Sequence, residues 1–252
     1  KGLAYDKDGA VWLALSQMGL SDDRVIVKSS GEPTYRLPDI AYHYDKLARR
    51  QFEMVVDIFG ADHIATIPDV MAAVEALGED KSKIRVVIHQ FVTLMKDGGD
   101  VTRFFFVMRS ISTHLDFDLD LAAEQSEKNP VFYLQYAHAR IASILRTAEE
   151  RGVKVSLTAE TEILQHPSEI DLIKLVLRFP ETVERAADAL EPHIIAEFLR
   201  ETAAAFHKFY HDCRILGEEE RVMQARFALL RAAKRVLKNG LSILGVSQPE
   251  RM

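Results

Sequence analysis

The sequence predicts an α/β half followed by an all-helical half. Three observations lead there. Up to about residue 105, short β-branched runs alternate with helical segments opened by proline. From about residue 115 onward, only long helical segments are read. The change falls near residue 110 with no Pro/Gly/Ser linker, so two closely packed domains, 1–110 and 111–252, are expected.

Arg24-Val25-Ile26-Val27-Lys28 is β-branched and bounded by Asp22-Asp23 and Ser29-Ser30-Gly31, which predicts a strand. The segment 52–59 predicts a second, ended by Gly60, and 84–94 a third. Pro38 opens a helix to Leu47. Pro68 opens another to Leu77, with Gly78 just past its end. Strands alternating with helices favour a parallel sheet. In the second half, Asn129-Pro130 combines a capping side chain with proline in the first turn, so a helix runs from there to about Glu150 and stops at Gly152. Pro180 and Pro192 are read as the starts of two more, the latter continuing to about Cys213. Arg221 to Leu241 is the last, with Asn239-Gly240 marking an alternative end.

Composition narrows the function. Of 252 residues, 48% are apolar and 28% charged, which excludes a disordered chain. Thirty-two basic against 38 acidic residues give a net charge of −6, so a uniformly basic nucleic-acid binder is excluded, though a local basic face is not. No run of about 18 uncharged apolar residues occurs, and no membrane span is expected. The single cysteine, Cys213, forms neither an internal disulfide nor a cysteine-based zinc site, and a reducing compartment fits. The start shows no apolar signal core and no initiator methionine, as expected of a chain that begins inside something longer.

In open α/β sheets, ligands sit beyond the carboxyl ends of the strands. Asp62 follows the strand ending at Phe59, and Asp39 starts the helix opened by Pro38. Tyr35 stands four residues before Asp39, with Leu37 held extended by the following proline. A carboxylate beside an aromatic hydroxyl suits a cationic, guanidinium-like ligand. On spacing alone, a plain helix-terminus role for Asp39 is the simpler account. No His/Asp/Glu spacing resembles a metal site, and no glycine-rich phosphate loop of the common types occurs. Lys96-Asp97-Gly98-Gly99-Asp100 is read as a plain turn.

In the helical half, Tyr133, Tyr136 and Arg140 share one helix face, at i, i+3 and i+7. Such a stripe suits stacking on bases and contact with phosphate, but on spacing alone half-buried packing is the simpler account. The last helix carries Arg221, Arg226, Arg231, Lys234, Arg235 and Lys238 and no acidic residue. Five of the six lie on one side, with Arg226 the exception. This is either an electrostatic footprint for a polyanion or a solvated face partly neutralised by Glu218-Glu219-Glu220. The end, 247–252, reads as a frayed tail.

Taken together, these stretches resemble arginyl-tRNA synthetases of class I. The carriers are Asn129-Pro130-Val131-Phe132-Tyr133-Leu134-Gln135-Tyr136-Ala137-His138-Ala139-Arg140, preceded by Leu115 to Asp120 and Arg103-Phe104-Phe105-Phe106. The end, Val236 to Gly240, Leu244-Gly245-Val246 and Pro249-Glu250-Arg251-Met252, is similar to the family's carboxyl terminus. Thr34-Tyr35, Pro38-Asp39-Ile40-Ala41-Tyr42-His43 and Gly60-Ala61-Asp62-His63 resemble its catalytic-domain motifs. The resemblance implies the later part of a Rossmann-like catalytic domain over 1–110 and a helical anticodon-binding domain over 111–252. It implies an ATP-dependent ligase, with Mg2+, that joins L-arginine to tRNA(Arg) in the cytoplasm, working as a monomer and away from membranes. By motif match, Tyr35 and Asp39 contact the substrate arginine, Asp39 taking its guanidinium, and Asp62 is a further pocket residue. Tyr133, Tyr136, Arg140 and Met252 face the tRNA.

The departures matter equally. The family's first ATP-binding signature would lie upstream of Lys1. The second should fall between Gly98 and Gly99, where its two flanks abut. The amino-terminal tRNA-elbow domain is also absent, and Ile64-Ala65 replaces the His-Gly usual in bacterial relatives. No residue is assigned a catalytic role, and the 252 residues alone are expected to be inactive. The alternative expectation is a non-catalytic tRNA-binding or regulatory module derived from a synthetase.

Overall fold

The computed structural model describes residues 2–89, 99–111, 113, 120–121, 124, 126–153, 156 and 159–252. The chain divides into two compact units, Lys1–Phe91 and Val92–Met252. The order of an α/β part followed by helices is as the sequence predicts.

The first unit contains two sheets. Strands β1 (Ala4–Lys7), β2 (Ala10–Leu13) and β3 (Arg24–Val27) pair antiparallel in that order. Asp8 and Gly9, both with positive φ, make the tight turn between β1 and β2. The strand at 24–28 therefore joins an antiparallel sheet, a correction to the expectation of one parallel sheet. Parallel pairing is confined to β4 (Val55–Gly60) and β5 (Ile84–His89), in register from Val55↔Ile84 to Gly60↔His89. Helix α2 (Ile67–Leu77) makes the crossover between them and ends at Gly78, as expected. Strand β4 starts three residues later than predicted, and the expected continuation of β5 over 90–94 lies outside the described residues.

Helix α1 (Arg36–Tyr44) begins before Pro38, so Leu37 is helical rather than extended. The proline sits in the first turn, where its missing N–H leaves no bond unmade. Burial alternates along β4. Val55 and Asp57 face a core built on Leu15, Ile26, Ile40, Val70, Val74 and Ile84, while Met54, Val56 and Ile58 stand exposed on the other side.

The second unit is built from α3 (Gly99–Val107), α4 (Pro130–Glu150), α5 (Pro167–Ala189), α6 (His193–Asp212) and α7 (Glu220–Ile243). They enclose Phe104, Leu134, Leu172, Leu199, Phe206 and Phe227, all fully buried. Asn129 caps α4 by accepting the Val131 amide at 3.2 Å. Two expectations are corrected. Pro180 lies inside α5, which starts at Pro167. His166 caps that start: its Nδ1 accepts the Ser168 amide and Glu169 returns a bond to the His166 amide at 2.9 Å. Gly240 lies inside α7. A Cβ there would stand 2.5 Å from a Leu199 methyl, so this glycine lets α6 and α7 approach closely. The helix ends instead at Gly245, whose φ is +68°. The Val246 amide donates to the Leu241 carbonyl and that of Gly245 to Ser242, the paired bonds of a Schellman end. Gly99 and Asp100 belong to α3 rather than to a turn; residues 96–98 lie outside the described residues. Among the described residues, no helix is long and apolar enough to cross a membrane.

Candidate functional site

Each unit offers a site. In the first, the Tyr35 carbonyl accepts the Asp39 amide at 3.2 Å, so the two residues stand one helical turn apart on one side of α1. The Tyr35 ring is 90% exposed. Asp39 lines a narrow cleft with His43, Asp57, Phe59 and Thr66. Beneath it, His43 Nδ1 donates to the Asp39 carbonyl at 2.7 Å and Nε2 meets Asp57 Oδ2. Lys46 donates to the other Asp57 oxygen at 3.1 Å. His43 and Asp57 are both buried, so this polar cluster ties α1 to β4 inside the core. Arg36 fixes the start of α1 to α2 by pairing with buried Asp69 at 2.6 Å.

Asp62 stands on the exposed turn after β4, its carboxylate 3.7 Å from His63, whose ring stacks on Phe59 at 5.4 Å. It does not line the cleft that holds Asp39. The structure thus brings Tyr35 and Asp39 together and leaves Asp62 apart. A carboxylate at a cleft mouth with an exposed phenol beside it is suited to a cation.

In the second unit, Tyr136, Arg140 and Met252 line one pocket of about 930 Å³. Tyr133 is set apart, toward a neighbouring groove with Glu127, Lys128 and Arg200. The Arg140 guanidinium donates to the Tyr136 hydroxyl and lies 4.6 Å from the centre of the Tyr210 ring. Under the stripe, His207 packs against Tyr133 at 5.1 Å and Tyr136 at 5.9 Å. Burial holds His207 below the ordinary histidine range, Arg140 adding to the effect, so the ring is a neutral platform between two phenols. Burial also raises the Tyr133 hydroxyl.

Arg140, Arg146, Arg151, Arg214 and Arg251 line this pocket against one carboxylate, Glu250, which Lys234 engages at 2.7 Å. Stacking rings among arginines suit a planar, polyanionic ligand. Tyr210 and His207 come from α6 and Arg214 from the segment just past its end, so spacing along α4 cannot show them. The only local signal is Tyr210 and Arg214 four residues apart.

The basic helix α7 is partly committed. Arg226 turns inward to Glu169 at 2.7 Å, which explains its place off the cationic face. Arg221 pairs with Glu160, with the charge of Glu219 from the 218–220 run adding to the effect, and Arg231 donates to the Ser156 carbonyl at 3.3 Å. Arg235 and Lys238 remain exposed. Among the described residues, no cluster of His, Cys, Asp and Glu is placed to hold a metal ion.

Residues 134–252 match the family described as DALR anticodon binding domain. Over its whole length the chain is 50% identical to an arginine–tRNA ligase of Salinibacter ruber and 45% identical to one of Desulfotalea psychrophila. It covers 49% and 50% of those proteins, so it spans about half the length of the curated relatives it matches. A solved structure from Campylobacter jejuni, described as an arginyl tRNA synthetase, superposes with a TM-score of 0.89 at 30% identity, covering all of this chain and 59% of that one. The arginyl-tRNA synthetase of Thermus thermophilus shares the fold, with a TM-score of 0.81 at 22% identity, over all of this chain and 56% of its own.

Proposed function

Since the chain belongs to the arginyl-tRNA synthetase family along its whole length, we propose that it is the part of an arginine–tRNA ligase that grips the arginine side chain and the tRNA anticodon. The complete reaction joins arginine and ATP into arginyl-adenylate with release of pyrophosphate, then passes the arginyl group to the 3′-terminal ribose of the tRNA. On this reading, residues 1–110 are the later part of the catalytic domain and 111–252 the anticodon-binding domain.

The observation that carries the proposal is the pocket where Tyr136, Arg140 and Met252 meet, inside the segment that matches an anticodon-binding family. Tyr133 stands beside it on the same helix. Bases stack on the rings, and the arginines neutralise phosphate. In the first unit, Asp39 takes the guanidinium in a bidentate pair and Tyr35 flanks it, while Asp62, outside their cleft on the turn after β4, is left to meet another part of the substrate. Lysine lacks the planar fork and is refused on that ground. ATP with Mg2+ is the energy source of the complete enzyme. Among the described residues neither a glycine-rich phosphate loop nor an acidic cluster holds it, so its chemistry is assigned to none of them. The protein works in the cytoplasm as a monomer.

A second reading, a non-catalytic tRNA-binding module, is favoured by one observation. The match to the Salinibacter ruber protein runs over 274 positions against 252 residues here, so about 22 positions of that relative face no residue of this chain.

Binding of a tRNA(Arg) transcript across a salt series tests the shared part of both readings. Affinity that falls steeply with salt is expected, and a chain that does not bind overturns both. Thermal stabilisation by free arginine, and not by lysine, then supports a retained substrate pocket.

A further inference from the structure

The last residues of the chain are seated by side chains. Beyond the Gly245 turn, Ser247 donates to Asp100 twice, from its amide at 3.2 Å to Oδ1 and from its hydroxyl to Oδ2. Gln135 Nε2 reaches the same Asp100 oxygen at 2.9 Å, the Ser247 hydroxyl at 3.1 Å and the Ser247 carbonyl at 3.2 Å. Two residues on, His138 Nδ1 donates to the Pro249 carbonyl at 2.9 Å. Lys234 then pairs with Glu250. Arg103, one turn after Asp100 on α3, lies over Gly245, where a Cβ would stand 2.5 Å from its guanidinium. A segment expected to fray is bound to three helices.

Gln135 and His138 occupy one side of α4. Tyr136 and Arg140, on the adjacent side, line the pocket together with Arg251 and Met252. One helix therefore carries both the seat of the tail and the floor of the pocket. We propose that Asp100, Gln135 and His138 are positioning residues for RNA recognition, clamping 247–250 so that Arg251 and Met252 stand ready at the pocket rim. The inference rests on the RNA-binding reading above. Its physical basis is pre-organisation: a tail ordered in advance loses no freedom on binding, whereas a free tail must be ordered by the RNA.

Asp100→Asn is the informative variant. The carboxylate accepts from three donors, and an amide of the same shape turns an N–H toward some of them. Ser247→Ala removes only a hydroxyl and serves if the first variant folds poorly. Hydrogen exchange over 246–252 and affinity for a tRNA(Arg) transcript are read on the 252-residue chain, each with and without Met252→Ala. We expect faster exchange of the tail and about tenfold weaker binding in Asp100→Asn. Met252→Ala should weaken the parent chain and add nothing in the Asp100→Asn background, a non-additivity that loss of stability alone does not produce. If the parent binds RNA but the tail stays protected in the variant, or Met252→Ala costs the same in both backgrounds, the clamp is overturned and RNA binding stands. If the parent does not bind, the RNA-binding reading falls and the clamp's role falls with it.

Discussion

Asp57 holds His43 against strand β4 from beneath Asp39, its second oxygen taking a hydrogen bond from Lys46. The candidate cation-binding carboxylate therefore stands on a helix whose inner face is anchored by a buried polar cluster. Asp57→Ala leaves His43 and Lys46 without their shared acceptor in the core. Loss of about 3 kcal/mol of stability is expected, as for a buried pair deprived of one partner. Urea denaturation of the chain measures it. Any stabilisation by free arginine should vanish in this variant even at temperatures where it remains folded.

The pocket of the helical unit makes a graded prediction. Tyr136→Ala removes a stacking face and should weaken tRNA binding by about 1–3 kcal/mol. Tyr136→Phe keeps the ring, loses the bond to Arg140 and should cost less. Arg140→Gln should weaken binding and lower the slope of log affinity against log salt by about 1. Fluorescence anisotropy across a salt series separates the three. Equal losses for the alanine and phenylalanine variants would point away from stacking.

Acid should loosen the helical unit before it touches its carboxylates. His138 sits below the ordinary histidine range because burial disfavours its charged form, the bond to Pro249 opposing and Lys234 adding. His207 behaves alike, through burial and Arg140. For groups lowered in the folded state, the unfolded chain takes up the proton first. Their stabilisation is complete above about pH 6.5 and is lost as pH falls below that value toward the depressed folded one. Thermal midpoints should therefore drop between about pH 7 and about pH 5.5, and His138→Gln should flatten part of that slope.

Helix α5 ends on a residue that is poorly suited to its place. Leu190 has φ +57° and ψ +36°, the left-handed conformation that disfavours a Cβ. The Glu191 amide reaches the Ala186 carbonyl at 3.0 Å, completing the same kind of helix end that Gly245 makes for α7. Leu190→Gly should raise stability by about 1 kcal/mol, read as a higher urea midpoint with unchanged slope. A lower midpoint would mean that the leucine contributes more by packing than it costs in strain.

The parts of the fold legible in the sequence are those where one residue type has one physical use. Asn129-Pro130 starts a helix, Gly78 and Gly152 end two, and Arg226 leaves the cationic stripe because it turns toward Glu169. The parts misread are those where a residue has several uses. Pro180 is tolerated inside α5 because it lies on an exposed face, and His166, an uncommon cap, conceals where that helix begins. Gly240 looks like a stop and is instead a contact with Leu199. The Asp8-Gly9 turn was readable as a hairpin, which would have placed the strand at 24–28 in an antiparallel sheet. In the candidate sites, residues on one helix were within reach of spacing arguments: Tyr35 with Asp39, and Tyr136 with Arg140. The partners supplied by other segments, Asp57, Tyr210 and the tail, were not, because no periodicity along one element reports its neighbours.

The outward row on β4 bears on how the chain is handled. Met54, just ahead of β4, and Val56 and Ile58 on it offer water three apolar side chains in line, Ile58 being 70% exposed, on a sheet that has two strands among the described residues. Such a row is a place where copies adhere as their number per volume rises. Turbidity on concentration should begin there, and a dilute sample should behave better than a crowded one at the same temperature.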